Sequence, residues 1–284
     1  YFKRFTLIYI IVPVFKRLAK TKVFLNSLQS SISKDYHVIL VDDSIEYEHV
    51  ACYEGESFIS VVKGNGELYW GGGINLGLHF LRDNFKVIDD DIIVFANNDI
   101  SLRNDTFNIL YSYLSSNSNR ILHPKLIDQL GNFISSGSKI VSWFPFLTDH
   151  KLSNTEDLTH VDIASARFLM FSGHILSVLG EINSLLPHYG GDNDFVYRAK
   201  TLGINTYIVS SSVVDVDESE TGAKASNLKG VRNLVDSFTS IKSPNSIEYR
   251  YKFVSSHFNP VFSCAIVLSM TVKSVIAFLI KRKY

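Results

Sequence analysis

Two cysteines in 284 residues, Cys52 and Cys264, lie far apart with no Cys-x-x-Cys, and no two of the nine histidines stand at metal-ligand spacing. A disulfide framework and a structural zinc site both lack material, and a reducing compartment is expected. An excess of one charge is missing too. Lys plus Arg equals Asp plus Glu at 28 each, so no global basic field exists to hold a nucleic-acid backbone, and no nucleic-acid partner is expected. The first residues run straight into an apolar stretch without the n-region, h-region and small-residue cleavage site of a secretory leader. Opening at Tyr1, the chain reads as a piece of a longer polypeptide, which leaves room for further domains. Internal repeats and low-complexity tracts are absent from the sequence. What is present is core: hydrophobic residues make up 46% and aromatic residues 13%, enough burial to offset the entropy of ordering the chain.

The first hundred residues alternate between two periods. Phe5–Val14 is a β-branched apolar run, and Leu18–Ser33 carries apolar residues at helical spacing. His37–Ser44, Phe58–Val62 and Ile92–Ala96 read as further strands, with helices near Ile74–Asn84 and Thr106–Leu114. Continuous apolar strands separated by helices predict a mostly parallel α/β sheet covered on both faces. Ligands of such sheets bind outside the carboxyl ends of the strands, which directs attention to Asp42, Asp43, Ser44, Asn97, Asn98 and Asp99. From about 119 to 172, short β-like runs (Phe133–Val141, Val161–Phe171) predict a mixed or antiparallel extension. Pro187–Gly191 reads as a loop, Asp192–Leu202 as a helix stopped by Gly203 with Asp192 at or near its N-cap, and 225–257 as polar-rich helical segments.

Pro260–Ile280 approaches the length of a membrane span. Val261, Cys264, Ala265, Leu268, Val272, Val275, Ile276 and Leu279 share one helical stripe, Ser263, Ser269, Thr271, Lys273 and Ser274 lie on the other side, and Lys281-Arg-Lys283 follows. This pattern predicts an amphipathic helix on an anionic membrane surface. Packing on its own domain or on a partner, and a true span, are the alternatives.

Four segments carry chemistry. Val41-Asp-Asp-Ser44 ends a strand with acids able to accept from a nucleobase N–H or a ribose hydroxyl, although a capped turn uses the same residues. Ala96-Asn-Asn-Asp99 sets two amides and a carboxylate after an apolar strand, an arrangement suited to a divalent cation and a substrate diphosphate, or equally to an Asx turn. Lys63–Gly77 concentrates six glycines with Trp70, Asn65 and Asn75, and is read as a backbone that approaches a ligand closely. A dinucleotide fingerprint is excluded because the glycines do not follow the first strand. Tyr189-Gly-Gly-Asp-Asn-Asp-Phe-Val-Tyr-Arg198 opens a helix with two acids. For Asp194 the simple role is N-terminal capping, whereas Asp192 is freer to face a cleft.

Taken in order, Ile11-Val-Pro-Val-Phe-Lys-Arg17, Val41-Asp-Asp-Ser44, the Gly64-to-Gly77 segment, Ala96-Asn-Asn-Asp99 and Gly191-Asp-Asn-Asp-Phe-Val-Tyr-Arg198 resemble the inverting family 2 glycosyltransferases of the GT-A fold, in particular their bacterial rhamnosyl- and galactofuranosyltransferase-like branch. The resemblance runs from about Thr6 to Thr221. It implies a GT-A domain over 1–222, with a nucleotide-binding half (1–118) and an acceptor and catalytic half (119–222), followed by a C-terminal helical extension (223–284). It implies a nucleotide-diphosphate sugar donor held around Pro13, Phe15, Arg17, Asp42, Asp43, Gly66, Trp70, Asn75, Asn97 and Asn98. Mg²⁺ or Mn²⁺ is implied on Asp99 and Asp215, with Asp192 as general base supported by Asp194 and Arg198. Three positions depart from the family pattern: Asn97 stands where the first acid of the metal motif would be, Gly191 replaces a frequent acid, and Asp215 occupies the place of a metal-binding His. The implied acceptor is a glycan, lipid-linked in the synthesis of bacterial O-antigen or capsule, which sets the expected location in the cytoplasm at the inner face of the plasma membrane. The rivals are a glycan- or partner-binding module without catalysis and a sugar nucleotidyltransferase, and the latter would need a Gly-rich basic loop where Pro13–Arg17 stands.

Overall fold

The computed structural model describes residues 6–45, 50–134, 136–153, 155–217, 228, 230–241 and 243–281. The expected boundary at 222/223, the acidic run 218–220 and the basic residues 282–283 lie outside them.

The expected strand–helix alternation is present as β1 (Ile8–Val14), α1 (Leu18–Ser31), β2 (Tyr36–Asp42), β3 (Ile59–Lys63), α2 (Tyr69–Asn84) and β4 (Ile92–Ala96). There follow β5 (Ile100–Leu102), α3 (Thr106–Ser116), β6 (Arg120–Ile127) and β7 (Phe133–Ile134). Next come β8 (Gly137–Ser142), β9 (Leu147–Asp149), β10 (Leu158–Val161), β11 (Ile163–Ala164) and β12 (Phe168–Ser172). The remainder is α4 (Gly173–Leu179), α5 (Gly191–Thr201), β13 (Asn205–Val216), α6 (Val231–Thr239), α7 (Ile247–Ser255) and α8 (Pro260–Lys281). The central sheet runs β10-β13-β6-β12-β4-β1-β2-β3. Its β1–β2, β1–β4, β2–β3 and β6–β13 pairs are parallel, and β12 enters antiparallel between β4 and β6. A separate small antiparallel sheet, β11-β8-β9, is the expected extension.

Both faces of β1 are buried, which explains its unbroken apolar run. Ile8, Ile10, Val12 and Val14 face α1 and α3 through Phe24, Leu28, Phe107 and Leu110, while Tyr9 and Ile11 face α2, α4 and α5 through Ile74, Leu78, Ile175 and Phe195. Pro13 sits in a central strand at no cost in ladder bonds to β4, because pairing with β4 ends at Ile11 and Phe95. The topology directs the carboxyl ends of β1, β2, β4, β6 and β13 and the amino end of β12 to one edge of the sheet.

The helices of the C-terminal part pack on this body. Tyr249, Phe253 and Val254 of α7 and Ile266 and Val267 of α8 share a core with Leu186, Tyr189, Tyr197 and Trp143. By length and composition α8 is long and apolar enough to cross a membrane.

Candidate active site

The carboxyl edge of the sheet gathers the strand-end acids through a chain of short contacts. Asp43 N–H donates to Val14 O at 2.9 Å, Lys16 N–H donates to Ser44 Oγ at 2.8 Å, and Arg17 Nη1 stands 3.8 Å from Asp99 Oδ2. Lys16 and Arg17 have positive φ, 50° and 122°, a costly backbone for side-chain-bearing residues that recurs where a binding loop is held in place. On the far side, Asn97 N–H donates to Arg167 O at 3.0 Å, and the backbone of the neighbouring Ala166 hydrogen-bonds Asp192. Residues 42–44, 97–99 and 192 therefore belong to one connected edge.

Three oxygens there are buried with no hydrogen-bond partner: Asp42 Oδ2, Asn97 Oδ1 and Asp99 Oδ1. Orphaned buried acceptors cost free energy unless a ligand answers them. Asn97 and Asp99 are hard oxygen donors two residues apart, a set that fits a divalent cation completed by substrate phosphates and water. Among the described residues no cluster of three or more His, Cys, Asp or Glu side chains could hold a metal by itself.

Asp192 lies in the first turn of α5, two residues beyond the N-cap Gly190. Burial drives its carboxyl above the usual carboxylate range, against opposing pulls from the backbone N–H of Asn193, from Ala166 and from the Arg167 charge. Asp194 behaves oppositely. Burial pushes it up, but His257, with Nε2 3.0 Å from Oδ1, and Arg198, donating from Nε to Oδ2 at 2.9 Å, bring it below the usual range. Arg198 also donates to Leu179 O and Glu181 O, so it ties α5 to the end of α4 as a support.

Other sequence-predicted residues are turned to structural work. The carboxylate of Asp43 accepts from the N–H of Gly66 (2.7 Å), Leu68 (2.8 Å) and Tyr69 (3.2 Å), and so fixes the start of α2 in the manner of an anion at a helix N-terminus. Asn75 is not open to a donor: Nδ2 donates to Ile182 O at 2.8 Å and Oδ1 accepts from Ile182 N–H at 2.9 Å. Asn98 is buried and donates to Thr21 Oγ1 at 2.9 Å, anchoring α1. The expectation that the glycine segment lets backbone approach a ligand is corrected in its second half. That half is the start of α2, five residues earlier than expected, and a Cβ at Gly73 would lie 2.9 Å from Pro13, while one at Gly77 would collide with Ile11 Cγ2. These glycines bring a helix against the sheet. Pro13 is occupied by the same packing, and Phe15 is half exposed. Gly66 takes φ +90° in the loop held by Asp43, and Trp70 buries an indole N–H with no partner.

Asp215 is corrected as a metal ligand. Both its oxygens are held by Arg103, at 2.8 and 2.9 Å. The acid brought to Asp99 is Asp217, whose N–H donates to Asp99 O at 3.0 Å and whose carboxylate pairs with Lys20 at 2.9 Å.

Sequence reading missed Arg167, His257 and an aromatic run beside Asp192. Tyr69, His188, Tyr189 and Tyr249 follow one another at ring-centroid distances of 5.2, 4.5 and 6.5 Å. Burial, then the Asp192 charge, raises the Tyr189 phenol. Its position three residues before Asp192 was the available signal; Tyr249 and His257 come from the C-terminal helices and gave none.

No family model matches the chain, and no curated protein matches it by sequence. Solved structures do. One is GalNAc-T7 with UDP, GalNAc and Mn²⁺, at a TM-score of 0.58 and 12% identity, covering 94% of this chain and 54% of that one. The chain thus spans about half of that neighbour's length. The fold is of the GT-A type. TarS 1–349 of S. aureus is similar at a TM-score of 0.56 and 13% identity over 96% of this chain and 89% of that one. Its complex with UDP gives 0.52 and 14%, over 90% and 73%. Both neighbours are glycosyltransferases.

Proposed function

We propose that this GT-A chain is an inverting glycosyltransferase that moves a sugar from a nucleoside-diphosphate donor to a hydroxyl group of a glycan. The observation that carries this reading is Asp192: a partly buried carboxyl whose surroundings raise its proton affinity, bound through Ala166 and Arg167 to the turn that holds the unpartnered oxygens of Asn97 and Asp99. A proton acceptor and a diphosphate-cation site on one edge are what a single displacement requires.

In the proposed reaction Asp42 Oδ2 accepts from the nucleoside, and Arg17 meets the diphosphate. Asp99 and Asn97 would hold Mg²⁺ or Mn²⁺, which when bound would supply positive charge to offset that of a departing diphosphate. Asp192 takes the proton of the acceptor hydroxyl as its oxygen bonds to the anomeric carbon. The bond to the diphosphate breaks on the opposite face, so the configuration inverts. Base catalysis of this kind contributes about 10²–10⁴-fold. The resemblance in sequence order favours a lipid-linked acceptor in bacterial surface polysaccharide synthesis, at the cytoplasmic side of the membrane.

The test is to incubate the protein with a panel of nucleotide sugars and oligosaccharide acceptors plus Mn²⁺ or Mg²⁺, follow nucleoside diphosphate release, and assign the product anomer by NMR. Release with inversion is expected. A folded protein that binds a glycan yet releases no nucleoside diphosphate from any donor would turn the reading to a binding module.

A further inference from the structure

The polarity of α8 is reversed relative to an ordinary surface helix. Ser263 and Ser274 are buried with Ile266, Val267 and Phe278 against the protein, whereas Val261 (83% exposed), Cys264, Leu268 (65%), Val272, Ile276 and Leu279 (54%) face outward. The inward serines are satisfied: Ser263 Oγ donates to Asn259 O, and Ser274 Oγ accepts from Arg250 Nη2. The outward residues recur every three or four positions, so they form one apolar strip about 27 Å long at 1.5 Å per residue. On α6, which packs on α8 through Leu234 and Phe278, Val231 and Val235 are exposed as well.

Charge points to the occupant. In a chain with no net charge, α8 holds not one Asp or Glu, its Lys273 is exposed, and the sequence closes it with Lys281, Arg282 and Lys283. A second copy would bring like charges together, while an anionic lipid surface answers the cations and the apolar strip at once. The buried face, committed to α6 and α7, makes a helix lying in the surface the economical arrangement, since a span would have to strip that packing away. We propose that the outward strip of α8, together with Val231 and Val235, is a docking face that lies flat in the interfacial layer of an anionic bilayer.

The experiment is flotation of the full chain with vesicles of phosphatidylcholine alone and of phosphatidylcholine mixed with phosphatidylglycerol, in parallel with the triple variant Leu268→Gln/Val272→Gln/Leu279→Gln. Expected are partition onto the mixed vesicles at least about tenfold stronger than onto the neutral ones, weakening in high salt, and loss of partition in the variant at unchanged Tm. Equal partition of parent and variant, or none by either, overturns the proposal. So does a dimer in lipid-free solution that the triple variant dissolves, which would make the strip a self-interface, or resistance of the bound parent to alkaline extraction, which would make α8 a span. Sugar transfer plays no part in this readout, so its failure leaves the catalytic reading untouched.

Discussion

His257 Nε2 lies 3.0 Å from Asp194 Oδ1, joining the end of α7 to the first turn of α5 two residues from Asp192. Asp194 is fully buried, and its other oxygen is held by Arg198. The C-terminal helices thus reach the helix that carries Asp192.

Removing the Asp194 carboxylate leaves buried donors without an acceptor. Asp194→Ala is expected to destabilise the fold by about 3–5 kcal/mol. The Asp194 proton affinity, lowered by folding, stabilises the native state above the unfolded-state value and is lost as pH falls through the folded one. In Asp194→Asn the acid limb of stability should therefore flatten, measured as Tm against pH.

For Asp192 the sign reverses. Its folded carboxyl binds a proton more tightly than the unfolded one, so stability falls as pH rises from the ordinary carboxylate range through the raised value. Asp192→Asn is expected to raise stability at neutral pH by about 1 kcal/mol, read as a gain in Tm, while transfer drops by about 10²–10⁴-fold and donor binding persists. In the parent, kcat/KM should fall on acidification with a midpoint above the usual carboxylate range. Loss of donor binding in Asp192→Asn would remove it from the base role.

Asp99 and Asp215 separate cleanly. Asp99→Asn should raise the Mn²⁺ concentration needed for half-maximal activity by tenfold or more, about 1.4 kcal/mol. Asp215→Asn, which only frees the exposed Arg103, should leave that concentration unchanged and cost at most about 1 kcal/mol of stability. Full activity in a chelator would sink the metal assignment.

Gly77→Ala tests the packing reading of the glycine segment. A methyl group there meets Ile11 and Val41, so a loss of about 1–3 kcal/mol in urea titration at constant m is expected. If Gly77→Ala were as stable as the parent but had lost donor affinity, the segment would be a ligand loop after all.

The parts of this architecture legible in the sequence are those set by local pattern. Ile92–Ala96 is a strand buried on both faces, and its apolar run shows it. The parts that escaped depend on partners far along the chain. Tyr69–Gly73 reads as loop because three adjacent glycines oppose a helix, yet these residues are helical because the Asp43 carboxylate, 26 residues before Tyr69, caps them and the sheet surface admits only glycine. Asn98 looked like a ligand until Thr21, 77 positions away, took its amide. Asp215 lies in β13 and Asp217 just beyond its end, and only the pairing of β13 with β5 decides which of them meets Arg103 and which the backbone of Asp99. The strand-end positions 42–44 and 97–99 were legible because a parallel sheet dictates where its open edge lies, and Asp192 because its acids open a helix after a Gly-Gly pair.

The reciprocal amide bond of Asn75 with Ile182, reinforced by Gly71 N–H donating to Pro187 O, rivets α2 to the turn that leads into Asp192. Any closing motion that parted these two segments would sacrifice all three hydrogen bonds, at about 1–3 kcal/mol for each buried group left unmatched. A hinge in this part of the molecule must therefore lie elsewhere, and the spacing between α2 and the turn that leads into Asp192 is built into the fold.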